Sequence, residues 1–279
     1  MIYASTSCLK NPSNIIRVLN EYEKAGIENV ELGSVHRHFE IKQIKKFNFN
    51  FLIHNYFPPP KIPFNFNLAS SNKEIREKSY NLAIHAIDLC AEIESPLYTF
   101  HAGFTVDPLK LGEAFPKENI TNRKKAISTF IEEVVKIVEY GNDRGIKTAM
   151  EPNVVQKFNL VNNKNELSLF AEFPEIEELF QSLNKTKLGL LLDLGHTIVT
   201  SHWLNFDKDE FVQKCRDKVL AIHASNNNGL QDQHKSLTKE CWQSSKLKEF
   251  RNVPITLETM NLTVEKIKEN IKLVQEIIN

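Results

Sequence analysis

At 279 residues, 41% of them hydrophobic, the chain has the size of a closed α/β barrel, which commonly reaches about 250 residues as one domain, so residues 1–279 are read as a single domain. Lysine plus arginine and aspartate plus glutamate number 35 each, giving a formal net charge of zero that neither favours nor disfavours a nucleic-acid partner, since a local positive groove does not depend on the sum. No apolar run approaches the ~20 residues needed to cross a bilayer, and Cys8, Cys90, Cys215 and Cys241 stand far apart with no Cys-x-x-Cys pair and no secretory leader ahead of them; membrane insertion is not expected, and reduced thiols in a cytoplasmic protein are.

Short apolar or β-branched runs alternate with stretches of helical period, as in repeated β-α units around a parallel sheet. The chain opens with a strand over 2–7 and a helix from Ser13 to Ala25, started by Asn11-Pro12-Ser13-Asn14 and closed by Gly26. Strands follow over 28–33 and 49–54, then a helix from Asn72 to Ile93, a strand over 97–101, a helix from Asn122 to Arg144 ended by Gly145, and a strand over 146–151. A helix from Glu175 to Leu183, a strand over 188–193, a helix from Asp207 to Lys214 and strands over 219–224 and 254–258 come next; Thr263 caps a last helix, Val264 to Ile278. A helix is expected after every strand. Eight such units predict the α/β class and a (β/α)8 TIM barrel, with the long loops after the third, fourth, fifth and seventh strands on the rim where such barrels carry their sites; Pro58-Pro59-Pro60 stiffens one of them.

Six of the eight strands end in a metal ligand or an acid: His54, His101, Glu151, Asp193, His223 and Glu258. Singly, each histidine reads as a hydrogen-bonded structural residue and each carboxylate as a helix cap. Parallel strands, however, bring all six to one rim, where unpaired buried charge is costly and cations supply the compensating charge. Asp193-Leu194-Gly195-His196 adds His196 within one turn, and Asp232-Gln233-His234 repeats the combination after the seventh strand. Mixed imidazole and carboxylate ligands suit zinc or manganese. Nine ligands exceed what one ion takes, so two or three ions are implied. His36 and His38 follow the second strand at the same rim, within reach of substrate, and His85 is read as a structural residue of a helix.

The same residues resemble the xylose isomerase-like barrel superfamily, in particular its endonuclease IV (AP endonuclease family 2) branch. The likeness runs in order through His54 with Tyr56 and Asn67-Leu68-Ala69-Ser70, Phe100-His101-Ala102-Gly103, Gly189 to His196, Ile222-His223 with Asp232-Gln233-His234, and Leu257-Glu258-Thr259. It implies a trinuclear zinc site with His54, His101, Glu151, Asp193, His196, His223, Asp232, His234 and Glu258 as ligands and Glu151 bridging two ions; the metals of that family activate water and clamp phosphate oxygens for in-line attack. The chain departs from DNA-repair members at Gly195, where they carry cysteine, at Lys235-Ser236-Leu237 and after Glu151-Pro152-Asn153; many relatives with this looser pattern are described as sugar phosphate isomerases or epimerases.

Two enzymatic readings follow. One is hydrolysis of a phosphoester, extending to abasic-site DNA, in which Arg37, Tyr56 and Phe57 contact substrate as phosphate ligands or wedge. The other is an isomerase or epimerase of a small, phosphorylated or free sugar, with one ion on Glu151, Asp193, His223 and Glu258, and Glu151 and Glu258 as the acid/base pair. A barrel that only binds a ligand is the third reading.

Overall fold

The computed structural model describes residues 1–108, 113–183 and 187–279. Eight parallel strands close into a barrel in sequence order: β1 (Ile2–Ser5), β2 (Asn29–Leu32), β3 (Asn50–His54), β4 (Leu97–His101), β5 (Lys147–Glu151), β6 (Leu188–Asp193), β7 (Val219–Ala224) and β8 (Ile255–Leu257), with β8 pairing back onto β1. The outer layer holds α1 (Ile15–Lys24), α2 (Lys73–Glu92), α3 (Arg123–Asp143), α4 (Phe173–Ser182), α5 (Leu194–Leu204), α6 (Lys208–Cys215), α7 (Trp242–Leu247) and α8 (Val264–Ile278). Caps set most helix starts: the side chains of Asn14, Asn72, Asn122, Asp207 and Thr263 each accept a hydrogen bond from an otherwise unpaired first-turn N–H. Gly26 and Gly145, both at φ +72°, turn the chain out of α1 and α3 toward the next strand.

Two expectations are corrected. Among the described residues no α-helix joins β2 to β3; one 3-10 segment, Ile41–Lys46, makes the crossover and buries Ile44. In contrast, α5 begins at Leu194 with no loop after β6, because the Asp193 side chain caps it by accepting from the His196 N–H at 2.7 Å. Its glycine and β-branched residues are weak helix formers, and burial on most of its surface leaves no amphipathic stripe for a periodicity reading to detect.

The main core lies between the sheet and the helices, and Val18, Leu19, Ile87, Phe130, Ile137, Leu192 and Ile267 are among its buried members. Inside the barrel a separate apolar layer of Tyr3, Leu52, Leu97, Ala149, Leu191 and Ala221 makes a floor. Side chains two residues apart on a strand share a face, so the next inward positions beyond that floor belong to Ser5, His54, Thr99, Glu151, Asp193 and His223. Strand register sets two of the site's pairs side by side: His101 opposite Glu151, and Asp193 opposite His223.

The rim loops are held by side chains that satisfy buried backbone groups. Asn67 donates to the carbonyls of Phe104 and Val106 and to Asp107, and accepts from the N–H groups of Ala69 and Phe104. Asn153 donates to the carbonyls of Ala102, Gly103 and Leu169. Arg123 clamps Glu175 and the carbonyls of Asn165 and Ser168. The loops after β3, β4 and β5 therefore form one buttressed wall beside the barrel mouth.

Candidate metal centre

Nine side chains converge on the C-terminal mouth of the barrel. His54, His101, Glu151, Asp193 and His223 come from strand ends, Glu258 from just beyond β8, His196 from the first turn of α5, and Asp232 and His234 from the loop after β7. Their ligand atoms form four overlapping groups, each within 4.8 Å: His54, Glu151 and His223; Glu151, Asp193 and His196; Asp193, His223 and Glu258; and His196, Asp232 and His234. His101 joins through Nδ1, 3.4 Å from Glu151 Oε2. The site grades in depth: the side chains of Glu151 and His223 are 0% exposed, whereas Glu258 and His234 are 14% and His101 is 19% exposed. The more exposed side of the site is therefore the one that carries His101, His234 and Glu258.

Glu151 occupies the centre. Its Oε2 lies 3.5 Å from His54 Nε2 and 3.4 Å from His101 Nδ1, and its Oε1 lies 2.9 Å from His196 Nδ1. His223 Nδ1 faces Glu258 Oε2 at 3.3 Å and Asp193 Oδ2 at 3.8 Å, and Asp232 Oδ2 lies 3.3 Å from His196 Nε2 and 2.9 Å from His234 Nε2. Close as they are, both Glu151 oxygens, Asp193 Oδ2, His196 Nδ1, His223 Nδ1 and Asp232 Oδ1 are buried without a hydrogen-bond partner. A buried orphan costs about 1–3 kcal/mol, more when charged. Imidazole and carboxylate atoms concentrated at one point are a donor set that suits divalent cations such as zinc or manganese.

Several of these ligands are held from behind. His54 Nδ1 shares a hydrogen bond with Thr99 Oγ1 at 2.9 Å, and His234 Nδ1 donates to the Glu258 carbonyl at 2.9 Å, which turns Nε2 of each ring toward a carboxylate in the site. His223 Nε2 meets Glu31 Oε2 at 2.9 Å, and the Thr256 hydroxyl donates to the same oxygen at 3.1 Å. The Asp232 N–H is anchored by Gln156 Oε1. Glu31 and Thr99 are absent from the nine residues read from sequence; the signal for Glu31 is an acid in mid-strand between Val30 and Leu32, a position that only barrel closure assigns to the interior.

Electrostatics follow from burial and mutual proximity. Burial alone would raise the Glu151 carboxyl, but His101, His196 and His54 carry it down to about 2. Burial pushes Asp193 up to about 7, and burial likewise holds His101 down to about 4. Burial opposes charge on His234, yet Asp232 and Glu258 raise it to about 10; His196 and His223 are also held well above the usual 6.5 by their surrounding carboxylates. These shifts carry a sign. His234, charged in the folded chain up to about pH 10 and from 6.5 downward when unfolded, contributes stability that is complete below 6.5 and lost as pH climbs toward 10. Asp193 acts in the same direction, its cost growing as pH rises from 3.8 to about 7. Metal binding runs the opposite way, because ligands must lose their protons. Thermal unfolding of chelator-treated protein is therefore expected to show a Tm that falls between pH 6 and 8.5, with a zinc-induced rise in Tm that grows over the same interval; a zinc effect that shrinks with pH contradicts the assignment.

Of the residues expected to touch substrate, Arg37 is exposed on the loop after β2. The Tyr56 hydroxyl accepts from the Phe64 N–H at 2.7 Å and its ring packs on Phe64, so it braces its own loop. Phe57 is a correction: it is fully buried, its ring 5.6 Å from Phe39 and 6.3 Å from His36, and it is part of the core rather than a wedge or lid. His36 bonds the Pro12 carbonyl and Thr6, and His38 bonds the Pro59 carbonyl, so both rings tie rim loops together. At Gly195 a Cβ would stand 2.7 Å from Ser225 Oγ and 3.1 Å from Asp193 Oδ1, so a larger residue there requires those side chains to shift.

Comparison with known proteins gives the family and the fold. The family model described as xylose isomerase-like TIM barrel matches residues 39–277. "Apurinic-apyrimidinic endonuclease 1" of Plasmodium falciparum (isolate 3D7) is 28% identical over 263 residues, covering 87% of this chain and 38% of that protein, so the chain spans about two fifths of the relative's length. "Probable endonuclease 4" of Aquifex aeolicus (strain VF5) is 26% identical over 211 residues, covering 71% of this chain and 64% of the other. Among solved structures, one described as a "D-tagatose 3-epimerase-like protein" superposes with a TM-score of 0.69 at 20% identity, covering 100% of this chain and 99% of that one, a likeness of fold.

Proposed function

Because the chain belongs to the xylose isomerase-like TIM barrel family, whose relatives here are enzymes, we propose that it is a hydrolase of phosphoesters that works with two or three divalent ions, zinc foremost and manganese second. The observation that carries the reading is the triad of His196, Asp232 and His234 beside the group of Asp193, His223 and Glu258, with Glu151 between them. An ion chelating two oxygens of a sugar uses Glu151, Asp193, His223 and Glu258 alone, and leaves His54, His101, Asp232 and His234 without a task.

The residues divide the work. Glu151 presents one oxygen to His54 and His101 and the other to His196, the disposition of a carboxylate shared between two ions. Asp193, His223 and Glu258 would hold one ion, and His196, Asp232 and His234 another. Ions bound there would supply Lewis acidity toward phosphoryl oxygens and lower the pKa of a bound water. Thr99 and the Glu258 carbonyl keep the His54 and His234 rings oriented, and the apolar floor keeps water out from below. Arg37 is the exposed cation for a phosphate of a longer substrate, which extends the reading to abasic-site DNA, the substrate class suggested by the names of the endonuclease relatives.

The epimerase reading is supported by one feature, the closeness of Glu151, Asp193, His223 and Glu258, which suffices for one ion and an acid/base pair. Zinc-loaded protein incubated with abasic-site duplex DNA and with a simple aryl phosphodiester separates the two. Cleavage of either supports hydrolysis. If both remain intact while a ketose exchanges its carbon-bound hydrogen with solvent, the hydrolase reading is wrong.

A further inference from the structure

Glu31 is 2% exposed, lies in mid-β2 facing the barrel interior, and belongs to no group of candidate ligands. Its Oε2 accepts from two donors, the Thr256 hydroxyl at 3.1 Å and His223 Nε2 at 2.9 Å, while its Oε1 is buried without a partner. A carboxylate so placed costs free energy unless its charge does something, because burial and an unpaired oxygen both count against it. Its one polar neighbour among the site histidines is the ring whose other nitrogen, Nδ1, faces Asp193 Oδ2 and Glu258 Oε2. We propose that Glu31 is the positioning carboxylate of this centre: by taking the Nε2–H of His223 it commits Nδ1 as the ligand atom for the ion shared with Asp193 and Glu258.

The physical logic is that a histidine ring offers two chemically similar nitrogens, and the hydrogen bond made by one decides which is left to bind metal. A carboxylate acceptor also makes the ligating nitrogen more basic, and such partners are worth about 10- to 100-fold in metal affinity. The position across the barrel matters. Glu31 reaches His223 from β2, past β1 and β8, so it ties ring orientation to barrel closure rather than to the loops of the rim. The inference rests on Asp193, His223 and Glu258 being a metal site, which both the hydrolase and the epimerase readings share.

The test is zinc affinity by chelator competition together with 1H–15N spectra of the zinc-bound full chain. Glu31→Ala is expected to weaken the tightest zinc by roughly 10- to 100-fold and to remove the hydrogen-bonded His223 Nε2–H resonance, assigned with His223→Gln. Glu31→Gln, whose carboxamide oxygen still accepts, is expected to restore that resonance and to lose less than tenfold. Should Glu31→Ala prove too unstable, the wild-type spectrum decides: a zinc-bound His223 protonated on Nδ1 overturns the proposal, as does unchanged zinc affinity in Glu31→Ala. A purely structural Glu31 would lower Tm in both variants and leave the His223 resonance in place. Failure of the phosphodiesterase assay does not touch these readouts, so the two conclusions can fall separately.

Discussion

Replacing Glu151 with glutamine is expected to reduce kcat/KM for phosphodiester cleavage by at least roughly a thousandfold, about 4 kcal/mol at 1.36 kcal/mol per decade. No other side chain in the site lies within 3.5 Å of three imidazoles, and its two oxygens face different ones. A carboxamide has the same shape but a single acceptor and no charge, so it can serve one ion only. The metal content of the purified variant is expected to fall with the activity. In the metal-free state the same substitution removes the anion that His101, His196 and His54 surround, and breaking a buried charge pair costs about 3–5 kcal/mol. Turnover at the wild-type level would contradict both the hydrolytic and the epimerase chemistry, since each routes through this carboxylate.

Asp232→Asn should separate those two chemistries. Asp232 lies at the mouth, against His196 and His234, and its backbone is fixed independently by Gln156, so the exchange leaves the loop in place. Asparagine cannot balance the charge of an ion, and the expected outcome is one ion fewer per chain with phosphodiester cleavage reduced roughly a hundredfold or more, the scale of losing one preorganised electrostatic contact to the transition state. Asp193, His223 and Glu258 remain intact. A one-ion enzyme would keep its activity in this variant, and that result in the phosphodiester assay would remove the third ion from the account.

Much of this centre is legible from sequence because a parallel strand fixes where its last residue points. His54, Glu151, Asp193 and His223 each follow an inward apolar residue by two positions, and the barrel's floor of Leu52, Ala149, Leu191 and Ala221 is the structural counterpart of that alternation. Glu31 escapes the same reading because it is in mid-strand, and its meaning depends on β1 and β8, which stand between it and His223 as the barrel closes. The helix α5 escapes because its capping residue is also a candidate ligand, so the strand end and the helix start coincide at Asp193. Phe57 is read wrongly for the opposite reason: proximity in sequence to His54 suggests the rim, but the hydrophobic effect draws the ring beneath the loop against Phe39. Loop side chains obey packing before position, and sequence spacing carries little information about packing.

The Gly195 position also illustrates what a motif conceals. The substitution relative to DNA-repair members looks like a loss, yet Ser225 Oγ fills the space a side chain would need. Asp193 and His196 on either side remain joined, the His196 N–H donating to Asp193 Oδ1 at 2.7 Å, and both stand in one group with Glu151.

Nine side chains from strands three through eight and their loops are expected to hold more than one ion. Elemental analysis of protein purified without chelator, with zinc and manganese counted per chain, tests this most directly. Two or three ions per chain are expected, falling by one in Asp232→Asn; a single ion in the wild type, unchanged in that variant, rules out a multinuclear centre.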